Sequence, residues 1–353
     1  MAKPIVQKTN FIWLSLILSG AGILIILYLT REEVSLALFS HLVTPRLFLL
    51  FTVFPLLLWL TEVLRIKLLL KGMGENLSFW RILEINLVTS FAGAVTPLSA
   101  ASPPVQIYLL CKQKIRTESA LSTVTVRVFL NYIYFIVTTP LFIFLFWPVL
   151  GLEGYFSYLV LGGAIFLLIV MILFFVLLYK PEFVFKILSF LLSLKFFARL
   201  VKDKNRLLFS FKEQVFRFRA SMTFFFQKKR AYLVLAFLLT ALFWLIFFSL
   251  AIVILFELGL DFSLIPAYLL QHIYYFLISY VPLPGGSGVA ELGMAALFAG
   301  IVPNNLLVSF VALWRFFTYY INILVGGVLT LNLGKEKRKS LLTIEEEVTQ
   351  IGQ

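Results

Sequence analysis

The sequence has one cysteine, Cys111, two histidines, His41 and His272, and few acidic residues: 17 Asp and Glu against 30 Lys and Arg in 353 residues. One cysteine excludes an internal disulfide and a cysteine-based metal site. Two histidines far apart in sequence argue against a histidine metal cluster. A P-loop, an HExxH helix and a GxSxG elbow are all missing, and no polar stretch is long enough to hold a nucleotide-binding domain. The sequence therefore predicts neither an enzyme nor an ATP-driven pump, with no metal and no cofactor. Loops between apolar runs are too short for a large glycosyltransferase site.

What the chain has in excess is apolar and aromatic side chains, 61% and 17%, with a mean hydropathy of +1.00. Long apolar runs recur throughout. This pattern predicts an all-α polytopic membrane protein. The expected crossings are Phe11–Leu29, Leu47–Leu70, Ser119–Leu150 (tilted or kinked at Pro140 and Pro148), Tyr155–Tyr179, Ala231–Phe256 and Leu306–Leu331. Phe11–Leu29 is too long for a typical signal-peptide core and lacks a small-x-small cleavage site, so it reads as the first membrane helix.

Two further apolar segments are broken. Phe79–Leu110 stops at Ala94-Val95-Thr96-Pro97 and restarts at Pro103-Pro104. Phe262–Gly300 is interrupted by Val281-Pro282-Leu283-Pro284-Gly285-Gly286-Ser287-Gly288. Proline removes backbone donors and the glycines favour a turn over a helix. Each arm is shorter than the ~20 residues a span needs. Such segments read as re-entrant helical hairpins, because irregular backbone at membrane depth survives only where protein or a watery cavity surrounds it.

Charge placement tests this layout. Lys71 and Arg81, then Lys112, Lys114 and Arg116, then residues 180–230 with thirteen Lys/Arg against three Asp/Glu, then Lys335, Lys337, Arg338 and Lys339 all fall on one side. They do so if six crossings and two hairpins alternate with both termini cytoplasmic. No basic residue lies between Arg230 and Arg315. The predicted location is the plasma or inner membrane. The 180–230 segment interleaves phenylalanine with its cations and reads as an amphipathic insert that binds anionic lipid headgroups. The positive-inside rule already accounts for its charge, so nucleic acid is not expected as a partner.

The order crossing, broken hairpin, crossing with an embedded arginine occurs twice, over 47–150 and 231–331. Arg127-x-Phe129-x-x-Tyr132 matches Arg315-x-Phe317-x-x-Tyr320, and Pro97 precedes Gln106 by nine residues as Pro282 precedes Glu291. The charge layout inserts the two hairpins from opposite sides, so the copies form an inverted repeat, an architecture of secondary transporters and flippases. Together with the insert, residues 1–333 read as one membrane domain and 334–353 as a polar cytosolic tail.

Arg127 and Arg315 lie within crossings and need a partner or water. Two roles stay open for them: capture of a lipid phosphate or other anion by the guanidinium fork, or a structural ion pair such as Arg315 with Glu291. Glu291 stands as a coupling or gating carboxylate or as a buried ion-pair member. The half-helix starts at Ser287, Gly288 and Val289, and at Ser102 and Val105, offer free backbone donors to an anion. Gly285, Gly286, Pro284, Tyr320 and Gln106 complete the candidate binding set. Glu62 with Arg65 reads as a local ion pair. His272 reads as a packed, hydrogen-bonded residue.

At Pro282-x-Pro284-Gly285-Gly286-x-Gly288-x-x-Glu291, with Arg315-x-x-Thr318-Tyr319-Tyr320 downstream and Thr96-Pro97 upstream, the sequence resembles the lysylphosphatidylglycerol synthase transmembrane family, also called flippase-like domain proteins. The similarity spans about Phe11–Leu331. The first turn departs from the family's glycine-rich pattern, with Leu98-Ser99-Ala100-Ala101 in its place. In two-domain members this unit moves an aminoacylated phosphatidylglycerol between leaflets, and a separate cytosolic domain makes it. The resemblance thus implies a lipid flippase with a membrane phospholipid as substrate, a homo-oligomer being compatible; it does not imply synthase activity. The alternative is a secondary transporter of a small anionic or other soluble solute. A third reading is an accessory subunit or enzyme of polyprenyl-linked sugar metabolism.

Overall fold

The computed structural model describes residues 45–146, 204–278 and 283–332, residue 281, and scattered positions within 17–28 and 165–190. Most of Phe11–Leu29, most of Tyr155–Tyr179, most of the insert before Lys204, Pro282 and the tail 334–353 lie outside the described residues. The protein is an all-α membrane protein. Among the described residues there is no strand, only one isolated bridge.

Helix α1 is Pro45–Gly72, a little longer than the expected Leu47–Leu70. Proline is favourable at its first position, where no backbone donor is needed. Gly74, at φ 79°, ends it, and Glu75 N–H donates back to Leu70 O at 2.9 Å. Then follow α2 (Phe79–Ala94), α3 (Ser102–Lys112) and α4 (Thr117–Phe146). The chain breaks between α2 and α3 where proline halts it. Pro140, by contrast, sits inside one continuous α4. Helix α5 (Lys204–Lys228) leads into α6 (Arg230–Glu257). The second broken pair is α7 (Leu264–Ile278) and α8 (Val289–Phe298). At ~1.5 Å per residue the four arms are ~15–24 Å long, short of a ~30 Å hydrocarbon core.

The last crossing differs from the uniform helix expected over Leu306–Leu331. Helix α9 (Asn304–Arg315) passes into a π-helical turn, Phe316–Tyr320, before α-helix resumes to residue 332. Extra turns of this kind concentrate where side chains are under functional or packing demand. Here the turn follows Arg315 and carries Tyr319, both committed to the second break. Among the described residues, Thr117–Phe146, Arg230–Glu257 and Asn304–Asn332 are long and apolar enough to cross a membrane.

The first broken pair opens toward the end of the bundle that carries Arg116. Arg116 bonds Glu75 at 2.6 Å and Met73 O at 3.1 Å, so α2 starts and α3 finishes at the same end. Gly72 meets Phe225 and Tyr232, which brings the α5–α6 junction there too. This is the basic end. Helix α7 begins where α6 has reached the far end. Between them, Pro97 and Pro284 form an antiparallel bridge: the two breaks meet tip to tip.

Helices α1 and α6 form the seam, burying Phe54 and Leu58 with Trp244, Phe247 and Phe248 in one cluster. On the other side the last helix lies backbone to backbone on α2. A Cβ on Gly326 would sit 2.3 Å from Leu87 O and 2.8 Å from Phe91 Cβ. Gly326→Ala is therefore expected to force the helices apart and cost about 1–3 kcal/mol, the usual range for overpacking. Gly327→Ala, whose Cβ would meet the Phe91 ring at 3.4 Å, is the neutral control. Thermal unfolding of both variants in detergent measures the difference.

Candidate functional site

The second break is built around Arg315. Gly285, Gly286 and Gly288 take φ of 57°, 65° and 84°, a region closed to most side chains. That fold-back presents Gly285 O and Ser287 Oγ to Arg315 Nη2, at 2.8 and 3.2 Å. Arg315 Nε lies 2.8 Å from Glu291 Oε1, and both residues are buried. The other carboxylate oxygen accepts the Gly288 N–H at 2.7 Å, so Glu291 closes the N-terminus of its own helix. The backbone donors expected there for an anion are thus partly filled from within. Ser287 Oγ also donates to Pro284 O at 2.8 Å.

The Arg315 guanidinium stacks 4.0 Å from the Tyr319 ring centroid, and Tyr319 O–H reaches across to Ala94 O of the first break at 3.0 Å. A Cβ on Gly285 would lie 2.1 Å from that ring. Seven of the ten candidate residues, Pro284, Gly285, Gly286, Ser287, Gly288, Glu291 and Arg315, therefore form one structural knot. Tyr320 is beside it, its ring 5.5 Å from Tyr319. None of these eight lines the cavity at Arg127.

Arg127 stands apart from them. It lines a cavity of about 180 Å³ shared by both halves of the molecule. Helix α1 contributes Pro55, Leu58, Trp59 and Glu62; α2 contributes Asn86, Thr89 and Ser90; α3 contributes Ser102 at its first turn. The opposite wall is aromatic: Phe243, Trp244 and Phe247 of α6, Tyr275 of α7 and Phe317 of the π-turn, with Thr318 of the same turn and Ile321 and Asn322 beyond it.

Glu62 is the carboxylate of this site. Its Oε1 pairs with Arg65 Nη2 at 2.5 Å, as the i, i+3 spacing predicts, and also lies 3.8 Å from Arg127 Nη1. Arg65 is fully buried and donates to Asn131 Oδ1 at 3.1 Å and Thr240 Oγ1 at 2.9 Å. Arg127 has only the long contact with Glu62: its Nε, like that of Arg65, has no hydrogen-bond partner among the described residues, and neither do Glu62 Oε2 and Thr89 Oγ1, which line the cavity with it. Two guanidiniums against one carboxylate leave a surplus positive charge facing the cavity. Buried polar atoms of this kind usually have partners, so three together mark a place that a ligand can complete.

Gln106 does not match Glu291 in position. It is the fifth residue of α3, whereas Glu291 is the third of α8. Two extra residues turn it ~200° around the axis. It is fully buried, with neither amide atom bonded among the described residues, and it does not line the cavity. His272 is packed as expected, Nε2 3.0 Å from Thr138 Oγ1 among the rings of Tyr134, Phe135, Phe142 and Phe248. No cluster of metal-ligating side chains occurs among the described residues.

Sequence reasoning missed most of the cavity. The signal lay in polar residues at helical spacing on one face of otherwise apolar helices: Asn86, Thr89 and Ser90, then Thr318 and Asn322, whose side-chain oxygen takes the Trp59 indole N–H at 3.0 Å.

A family model described as "Lysylphosphatidylglycerol synthase TM region" matches residues 12–326. A UPF0104 membrane protein of Archaeoglobus fulgidus is 30% identical over 280 residues, covering 76% of this chain and 81% of that relative. No solved structure matches the chain.

Proposed function

Because the chain belongs to the lysylphosphatidylglycerol synthase transmembrane family, we propose that it is a lipid translocase that moves an anionic or aminoacylated phospholipid between leaflets. The observation that carries this reading is Arg127: a buried guanidinium, incompletely bonded, at a cavity shared by both halves. A charge held at membrane depth is costly, ~2.5–3.5 kcal/mol on insertion scales, and marks a functional site by default.

In this mechanism the headgroup enters the cavity while the acyl tails stay in the bilayer. About 180 Å³ is below the ~300–1,000 Å³ of pockets that engulf a drug-sized ligand, so the cavity has no room for a whole lipid. Arg127 receives the phosphate oxygens, for which a guanidinium fork is suited. Glu62 and the aromatic wall of Trp244, Phe247 and Tyr275 receive an amine or polyol, the rings attracting a cation by their faces. The two broken pairs act as re-entrant hairpins of an inverted repeat, one opening to each leaflet. Parting of the tips at Pro97 and Pro284 exposes the cavity to one side or the other. Arg315 and Glu291 hold the second tip in shape and do not touch the headgroup.

Proteoliposomes with fluorescent phosphatidylglycerol test this. Arg127→Gln is expected to slow lipid movement at least about tenfold, the loss of one charge-assisted contact of roughly 1.5–3 kcal/mol, with little change in melting temperature. Arg127→Lys keeps the charge but not the fork and is expected to be intermediate. Unchanged rates in Arg127→Gln would remove the proposed site. Uptake of a soluble phosphate ester with no lipid movement would favour a solute transporter instead.

A further inference from the structure

The basic helix α5 (Lys204–Lys228) has an outer face that carries exposed side chains. Its inner face is set by Val215, Ser221 and Phe225, all buried; Ser221 donates to Ser122 at 2.9 Å and Phe225 packs on Gly72. Phe209 and Phe216 point the opposite way, 69% and 48% exposed. Seven residues apart, they fall within ~20° of one line along the helix. Lys212 and Arg219 lie ~40–80° to one side of that line, Arg217 and Lys228 ~100° to the other. The Lys212 amine sits 6.0 Å from the Phe216 ring, and Arg217 pairs with Glu213. The result is an aromatic ridge flanked on both sides by cations.

Position adds to pattern. The inner face rests on the end of α1, the first turns of α4 and the start of α6, so α5 lies where spanning helices emerge at the basic end of the bundle. Residues 180–230 carry thirteen Lys/Arg against three Asp/Glu. A bilayer boundary with anionic headgroups meets both needs at once: rings in the acyl–headgroup region, cations on phosphates.

We infer that α5 is a membrane-surface helix whose Phe209–Phe216 ridge embeds in an anionic leaflet while its flanking cations gather acidic phospholipid headgroups beside the bundle. This stands apart from the translocation reading and holds or fails without it.

Nitroxide labels at Phe209→Cys and Phe216→Cys, each in a Cys111→Ser background of the full chain in nanodiscs, test the placement. In nanodiscs rich in phosphatidylglycerol both labels are expected to be more accessible to oxygen than to a water-soluble nickel chelate. In purely phosphatidylcholine nanodiscs this preference should weaken. Native mass spectrometry supplies the second arm: replacing Lys212, Arg217 and Arg219 by glutamine should lower retained phosphatidylglycerol by roughly fivefold per cation, with phosphatidylcholine unchanged. Labels that face water in both nanodiscs overturn the proposal, as does unchanged phosphatidylglycerol retention. Labels that face water in nanodiscs but are shielded in native membranes point to a protein partner and also overturn it.

Discussion

Gly285→Ala is expected to destabilise the protein by about 2–5 kcal/mol, among the largest effects of any single methyl group in this chain. Two costs add. Position 285 has φ 57°, where a side chain costs about 1–2 kcal/mol. The new Cβ would also sit 2.1 Å from Tyr319 Cε2 and 2.5 Å from its Cζ, and overpacking of this kind costs about 1–3 kcal/mol. The ring cannot easily yield, because its hydroxyl holds Ala94 O and its face holds Arg315. Equilibrium unfolding in mixed micelles measures the loss. Adding Tyr319→Ala should recover the steric part and leave the backbone part, so the two substitutions couple. Gly286→Ala, with φ 65° but its nearest contact at 3.3 Å on Ile278, should show the backbone cost alone. Equal losses at 285 and 286 would mean that Tyr319 is not wedged against the turn.

The second large effect is at the Arg315–Glu291 pair. Arg315→Met leaves a fully buried carboxylate without its partner and strips Gly285 O and Ser287 Oγ of a donor. Breaking one side of a buried pair typically costs about 3–5 kcal/mol. Removing both charges by Glu291→Leu with Arg315→Met should recover much of that, since well-packed apolar replacements of buried pairs are often near neutral. Recovery should stop short of wild type by about 0.5–2 kcal/mol, because Glu291 also caps α8 through Gly288. Arg127→Gln contrasts with this: its pairing with Glu62 is 3.8 Å long, against 2.8 Å for Arg315 with Glu291, so it holds little structure together. Arg315 substitutions should thus register in stability and Arg127 substitutions in transport. A melting temperature that falls equally for both would erase the distinction.

Parts of this architecture were legible before any coordinates. The breaks between α2 and α3 and between α7 and α8 announce themselves through Pro97, Pro103, Pro284 and the three glycines, because local backbone chemistry dictates them. The same locality made Glu62 with Arg65 readable at i, i+3, and a link between Arg315 and Glu291 was one of two open readings. Other features depend on packing that no local pattern encodes. Glu62 meets Arg127 only because α1 lies beside α4, and the cavity exists only because six helices and the π-turn surround one space. The π-turn at Phe316–Tyr320 has no proline or glycine to signal it. The nine-residue spacing from Pro97 to Gln106 matched the spacing from Pro282 to Glu291 by count, yet the two turns differ in length. In the first, Leu98 and Ser99 adopt φ of 53° where glycine would be easier, and the helix behind them starts earlier relative to the glutamine. Residue counting across a break therefore put Gln106 opposite Glu291, although Gln106 stands two residues further into its own helix.

The most direct test of the account fixes the two tips together. Pro97 and Pro284 are bridge partners, and paired residues in an antiparallel bridge have Cα atoms about 4.5–5.5 Å apart, within the range a disulfide spans. Pro97→Cys with Pro284→Cys, in a Cys111→Ser background, should cross-link on mild oxidation, and lipid movement in proteoliposomes should stop and return on reduction. Each single-cysteine variant should be active and insensitive to oxidant. Lipid movement at full rate through fully cross-linked protein would contradict the account.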